Sequence, residues 1–384
     1  MPDSNVTSRL LMLHCSDVHL DTAFAGLTPE KSEERRRILR NTFMSLMQQV
    51  RDRKVDVVLI SGDLFDRRYV TNATADLLTR EFENCRPTQF IIAPGRSDCY
   101  RDNPIYAYGR LPENCFVFSS ENLERHDLPN CNVTVYGWAF ADEEKRENPL
   151  VGQRVDDTSR INIVCGYADL DGEIDSTLCP VGLMDVERFG ADYYAFGSRH
   201  EAVAVGKVGA NHFYSYCGSL ECTGFEDGGI GGASLIDLNW QDGTLSLQTT
   251  PITLGSLRFA CEEVDITGVH SPNEILTRIS HLISDRRYGV GTALRVELVG
   301  SVDPCFIVPK NFESEAFGLY YFHLIDKTMP LFGAEHFRRD MSAAGEAYRT
   351  LLPKMQSENE EERLVAARAF RVALAALENR EVDL

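Results

Sequence analysis

Positive charge is what this sequence is shortest of. Its 384 residues carry 39 Lys and Arg against 58 Asp and Glu, a formal net charge of −19. Sequence-independent nucleic-acid binding neutralises phosphates with cations, so this balance excludes a general nucleic-acid-coating protein. Any DNA contact has to come from a local Lys/Arg cluster or from a partner. Paired cysteine motifs are lacking too: of eleven cysteines none forms a CxxC pair. That excludes zinc ribbons and compact disulfide frameworks, and reduced, mostly buried thiols in a cytoplasmic protein are expected. No apolar run approaches the ~20 residues that span a bilayer, and the run Leu10–Leu13 after a polar leader is too short for a signal peptide. No membrane association is expected. Internal repeats and low-complexity tracts are missing as well.

What is present is ordinary globular composition, 43% hydrophobic and 25% charged, in a chain long enough for one large domain and a smaller one. Short apolar runs alternate with helical stretches. Arg9–Cys15, Val55–Ser61 and Gln89–Ala93 read as buried strands. Pro29–Arg53 carries Ile38, Phe43, Leu46, Met47 and Val50 at near-helical spacing, and Thr71–Cys85 reads as a second helix. Further strands are expected at Cys115–Phe118, Val133–Trp138, Ile161–Cys165, Tyr193–Gly197, Phe213–Cys217, Gly232–Leu238 and Leu245–Ile252. The alternation predicts an α/β fold in layers, with polar signature residues just past strand C-termini, where open α/β sheets place their sites.

A break falls near Gly255. Beyond it Ser271-Pro272-Asn273-Glu274 is a helix start, with Ser as N-cap, Pro at the first helical position and Glu three residues on. With the strand Thr292–Val299 it makes a small α+β domain, residues 256–312. Residues 313–384 are expected to be mostly helical. In Glu360–Leu377, Ala367, Phe370, Leu374 and Leu377 form an apolar face. Docking on its own domain is the ordinary expectation for such a face, and a partner-binding helix is the alternative.

Five short signatures follow strands in order: Asp17-Val18-His19, Gly62-Asp63-Leu64-Phe65-Asp66, Pro94-Gly95-Arg96-Ser97-Asp98, Cys165-Gly166, and Gly197-Ser198-Arg199-His200. DxH alone is weak, and GDLFD after an apolar strand is far more specific. The series resembles the calcineurin-like metallophosphoesterases, whose motifs run DxH, GDxxD, GNHD, a strand-end His, and GHxH. The opening Leu13–Asp21, the run Gly62–Arg67 and the later Tyr216-Cys217-Gly218-Ser219-Leu220-Glu221 look most like the SbcD-type DNA repair exonuclease subunits.

That resemblance implies a four-layer α/β/β/α sandwich over residues 1–255, a capping domain over 256–312 and a C-terminal segment that docks an SMC-like, SbcC-type ATPase. It also implies DNA ends as the target and a homodimer. One metal would be held by Asp17, His19, the bridging Asp63 and His200. The ion is expected to be Mn, with Fe or Mg as alternatives. The positions private to a second metal read Arg96, Cys165 and Ser198, and the GNHD histidine reads Ser97. The second half of a two-metal site is therefore rewritten. Arg96 is the candidate charge in place of the missing cation, either pairing with Asp63 or clamping a phosphate.

Asp66 and Asp98 are expected to orient ligands or stabilise turns. Cys165 is expected as a core thiol, His14 and His212 as hydrogen-bonded structural histidines, and Arg35-Arg36-Arg37 as a solvated helix face. Three functional readings stay open. One is a weak or inactive subunit acting with an ATPase on DNA ends. The others are a one-metal phosphodiesterase using Arg96, and a scaffold with an empty site.

Overall fold

The computed structural model describes residues 8–24, 29–107, 110–128, 131–173, 175–209, 211–241, 244–303, 306, 308–309, 314–330 and 334–377. The chain divides into two compact units, residues 1–258 and 259–384. The expected boundary between residues 312 and 313 lies outside the described residues.

The first unit opens with strand β1 (Ser8–Cys15), helix α1 (Pro29–Arg53), β2 (Val57–Ile60), α2 (Asn72–Asn84), β3 (Gln89–Ile92) and β4 (Cys115–Val117). It continues through β5 (Glu124–Asp127), β6 (Val133–Gly137), β7 (Ile161–Tyr167), the short pair β8 (Asp169–Leu170) and β9 (Pro180–Val181), helix α3 (Leu183–Phe189) and β10 (Tyr193–Gly197). Then come β11 (Val203–Val208), β12 (His212–Tyr216), β13 (Gly229–Gln241) and β14 (Thr244–Asp265), which runs past the unit's end. One sheet has the order β14-β13-β1-β2-β3-β4, and a second has β11-β12-β10-β7-β6-β5. Strands β1 to β4 are parallel, as are β6, β7, β10 and β12, while β13 runs antiparallel to β1.

Three cores account for four layers. Leu39, Phe43, Leu46 and Met47 of α1 and Leu78 and Phe82 of α2 pack on Leu13, Val58, Ile60 and Phe90. Because side chains alternate across a strand, Met12, Val57, Leu59 and Ile91 point to the opposite face and meet Val135, Ile163 and Ala195 of the second sheet. Tyr136, Val164, Tyr194 and Phe196 then face outward onto Val186 and Phe189 of α3. The α/β/β/α sandwich follows from this order. Each fully buried Leu, Val or Phe contributes roughly 1.5–3 kcal/mol.

In this unit β5, β11 and the two-residue strands β8 and β9 were not expected from the sequence. The segment Glu-Arg-His-Asp of β5 has no apolar residue and pairs antiparallel at the edge beyond β6. β11 is half-exposed and contains Gly206. The basic triplet also needs correction. Arg35 is 1% exposed, its Nη2 donating to the Cys222 carbonyl (2.5 Å) and its Nη1 lying 3.5 Å from Glu221. The helix turns Arg35 inward beside Leu39, and only Arg37 of the three is exposed.

In the second unit, the sheet order is β17 (Tyr321–Asp326), β15 (Thr292–Val299), β14. Its α4 (Pro272–Arg286) is capped by Ser271, whose Oγ accepts from Glu274 N and donates to Glu274 Oε1. Ile275, Ile279 and Ile283 of α4 pack on Leu294, Val296 and Leu298. The short β16 (Ser301–Val302) pairs with β18 (Met329–Pro330), and α5 (Ala334–Arg339), α6 (Ala343–Met355) and α7 (Glu360–Leu377) close the chain. Ala367, Phe370 and Leu374 of α7 are buried against Tyr348 and Met355 of α6, so this stripe docks within its own unit. Leu377, expected on the same stripe, is half-exposed. Among the described residues no helix is long and apolar enough to cross a membrane.

Candidate metal centre

The parallel strands of both sheets end on one side, and the loops leaving β1, β2, β3 and β10 carry the signature residues. These loops are unusually bent. Asp17, His19, Asp63 and Ser198 all have left-handed backbones, with φ of 49°, 50°, 55° and 104°. Non-glycine residues adopt this region at a cost, and such strain persists where surrounding structure enforces it, commonly at functional sites. Here the loops hold one another: Asp17 N donates to Gly62 O (3.1 Å) and His19 N to Asp63 O (2.9 Å). Gly95 permits a close approach, since a Cβ there would lie 2.4 Å from Asp63 Oδ1.

One ligand atom from each of Asp17, His19 and His200 lies within 4.8 Å of the others. His200 Nε2 is 3.7 Å from Asp17 Oδ1, and His19 Nε2 is 3.7 Å from Asp63 Oδ2. Asp17 Oδ1 and His19 Nε2 are buried and accept or donate no hydrogen bond. An orphaned buried polar atom costs about 1–3 kcal/mol, and a divalent cation among these atoms would satisfy both.

The other nitrogen of each histidine is held by a carboxylate. His19 Nδ1–H donates to Asp66 Oδ1 (2.8 Å) and His200 Nδ1–H to Asp227 Oδ1 (2.6 Å). These partners fix the tautomer that leaves Nε2 free as a ligand. Asp227 itself is fastened by the N–H groups of Thr223 (2.5 Å) and Gly224 (3.2 Å). Nothing in the sequence pointed to Asp227, which sits 27 residues past His200 in a polar loop.

Charge is concentrated here with little solvent to dilute it. Burial, then repulsion from Asp63, pushes the Asp17 carboxyl up to about 6. Burial opposes charge on His19, but the hydrogen bond to Asp66 and the charges of Asp63 and Asp17 outweigh it and hold the imidazole up at about 10. The hydrogen bond to Asp227, set against burial, likewise raises His200. Without a cation the cluster holds protons between its carboxylates and imidazoles, and a divalent ion would take their place.

The remaining signature residues fall in different places. Asp98 is a turn carboxylate, accepting from Asp63 N (3.0 Å), Leu64 N (3.0 Å), Gly95 N (2.7 Å) and Tyr106 OH (2.6 Å). Burial, then Asp63, pushes it up to about 7. Asp63 accepts from Ser97 N (2.7 Å), Ser97 Oγ (3.0 Å) and Tyr167 OH (3.1 Å). The expected pairing of Arg96 with Asp63 is not formed. Arg96 is exposed, and the neighbouring Ser97 takes the carboxylate instead. Cys165 lies in the core between the sheets with Ile163 and Ala195, and burial pushes its thiol far up. Ser198 donates its N–H to Asp17 Oδ2 (3.3 Å) and turns its hydroxyl to the Ala168 carbonyl (2.7 Å). His14 is buried between Ser61 Oγ (2.7 Å) and Tyr193 OH (3.1 Å), and His212 Nδ1–H donates to Ala191 O (2.8 Å), so both are structural.

A family model described as calcineurin-like phosphoesterase matches residues 10–202, just over half the chain and all of the signature loops. The chain belongs to the calcineurin-like phosphoesterase family. It is similar to an uncharacterized metallophosphoesterase, YhaO, from Bacillus subtilis (27% identity, 50% of this chain and 49% of that protein). It is also similar to the DNA double-strand break repair protein Mre11 from Methanopyrus kandleri (25% identity, 49% of this chain and 44% of that protein). The chain thus spans about half the length of these relatives. Among solved structures, a dimetal phosphatase from Danio rerio aligns at 11% identity and TM-score 0.40, over 64% of this chain and 99% of that one.

The chain presents a donor set of imidazole nitrogens and carboxylate oxygens that fits a divalent cation, and the two orphaned atoms are where that cation would bind. A Lewis-acidic ion there would polarise a phosphoryl oxygen. Outer carboxylates orient such ligands, so Asp227→Asn should weaken Mn²⁺ binding about tenfold, measured by calorimetric titration, with the fold intact. Unchanged affinity would show that His200 needs no orienting partner.

Proposed function

We propose that this chain is an SbcD-type subunit of the calcineurin-like family that binds one Mn²⁺ through Asp17, His19, Asp63 and His200. It acts on DNA ends with an SMC-like ATPase and is weak or inactive as an exonuclease. The observation that carries this reading is the one-sided chemistry of the site. Asp17 Oδ1 and His19 Nε2 lack partners, whereas the positions expected to hold a second ion offer an exposed guanidinium at Arg96, a core thiol at Cys165 and an engaged hydroxyl at Ser198. Arginine supplies charge but cannot ionise a water as a metal does. Ser97, standing where the resemblance puts an acid–base histidine, is a poor proton donor near neutral pH.

DNA as the target rests on the Mre11 relative and on the SbcD-like signatures. Assembly as a homodimer, a cytoplasmic location and a capping role for residues 256–312 belong to the same reading. In the segment 313–384 the apolar stripe of α7 is engaged by α6, so an ATPase would have to meet another face, where Val365 is exposed.

The test is a Mn²⁺-dependent exonuclease assay on blunt duplex ends. The expected result is turnover no higher than that of Asp63→Asn. Robust cleavage abolished by Asp63→Asn would contradict the reading. A second reading, an active one-metal phosphodiesterase on DNA or a small nucleotide, is favoured by the exposure of Arg96 beside Ser97. It requires that Arg96→Ala remove whatever activity is found.

A further inference from the structure

The structure gives Asp63 a hydrogen-bond environment unlike that of its neighbours. Asp17 Oδ1 and His19 Nε2 are orphaned, but both Asp63 oxygens are satisfied: Oδ1 by Ser97 N, Oδ2 by Ser97 Oγ and Tyr167 OH. Tyr167, the last residue of β7, had no part in the sequence-based site. Its ring is 4% exposed and packs edge-on against Phe140, with centroids 5.3 Å apart. Two glycines make room for it. A Cβ at Gly62 would come within 2.2 Å of Tyr167 Cδ2, and a Cβ at Gly95 within 2.8 Å. The ring is therefore seated in a slot between the loops leaving β2 and β3, with its hydroxyl on the carboxylate that a second cation would have to share.

We propose that Tyr167, with Ser97, is the residue that limits this centre to one ion, by hydrogen-bonding the carboxylate of Asp63 in place of a second cation. Tyr167 is a positioning residue in this role. A second ion on this carboxylate would have to displace hydrogen bonds that it already accepts from two hydroxyls and an amide, and that loss opposes its binding. This inference rests on the one-ion reading above and names the device that enforces it.

The experiment is Mn²⁺ titration of the full chain, with bound metal counted by elemental analysis, on the wild type, Tyr167→Phe, and a triple variant Tyr167→His, Arg96→Asn, Ser198→His. Phe keeps the ring in its slot and removes only the hydroxyl. The metal-free state loses a hydrogen bond to a charged group, so Tyr167→Phe is expected to bind Mn²⁺ roughly tenfold more tightly than wild type. The triple variant, which removes the tyrosine hydroxyl and supplies ligating side chains around Asp63, is expected to hold two ions. Wild-type affinity in Tyr167→Phe together with a single ion in the folded triple variant would overturn the role of Tyr167. A wild type that binds two ions or none would instead overturn the one-ion reading itself, so the two failures are distinguishable.

Discussion

Asp17→Asn should separate metal affinity from stability, moving them in opposite directions. Asp17 is fully buried, and its Oδ1 has no partner other than the two imidazoles that converge on it. Asparagine keeps the shape, and its oxygen can still accept from Ser16 Oγ and Ser198 N, which meet Asp17 Oδ2 at 2.6 and 3.3 Å. What it loses is the anionic ligand. Removing a partner that merely orients a ligand costs about 10–100-fold in metal affinity, so losing the ligand should cost on the order of a hundredfold or more.

Without metal the same substitution should stabilise the protein. Burial and Asp63 push Asp17 up to about 6, above the ordinary carboxylate value of 3.8. A carboxyl raised on folding contributes stability below its unfolded value and loses it as pH rises through the folded one. His19, held up at about 10, works in the same direction, because its contribution is full below 6.5 and declines toward 10. The metal-free wild type should therefore melt at a lower temperature at pH 8 than at pH 5. Mn²⁺ should reverse that trend, and Asp17→Asn should flatten it. Melting curves at the two pH values, with and without Mn²⁺, check this. A wild type more stable at pH 8 without metal would contradict it.

The largest purely structural effect is expected at Glu221. Its side chain is buried, 3.5 Å from the buried Arg35, and accepts from Thr42 Oγ1 (2.8 Å), Ser256 N (3.0 Å) and Leu257 N (3.2 Å). Removing one member of a buried ion pair leaves the other charge uncompensated and typically costs about 3–5 kcal/mol. Glu221→Ala also strands two backbone N–H groups. The expected outcome is a loss of that size in urea unfolding, with Glu221→Gln recovering part of it through its side-chain oxygen. A loss below about 1 kcal/mol would mean that Arg35 finds another partner.

The layers, and the convergence of Asp17, His19 and His200 on one point, were legible in the sequence because they depend on local pattern. Buried strands such as Val57–Ile60 are continuous apolar runs, and a left-handed Asp or His immediately after one is a bend that places its side chain at the sheet's end. Asp66 contacts His19 and Asp98 accepts from loop N–H groups, contacts that carboxylates so near the signature strands make locally. What stayed hidden depends on contacts between distant segments. Asp227 meets His200 across a polar loop with no spacing rule, and Tyr167 meets Asp63 over 104 residues as an apolar-looking strand residue. Arg35 looked solvated because a charged triplet on a helix usually is; only the position of Glu221, 186 residues on, gives it a reason to turn inward. Arg96 fails as a partner of Asp63 because a backbone N–H and a hydroxyl from Ser97, immediately after it, arrive first.

A single cation is expected where the imidazoles of His19 and His200 meet, their ring centroids 5.4 Å apart. Anomalous diffraction from crystals grown with excess Mn²⁺ reads this directly. One peak per chain is predicted, in contact with Asp17 Oδ1 and the Nε2 atoms of both histidines. Two peaks sharing Asp63, or a lone peak elsewhere in the chain, would contradict it.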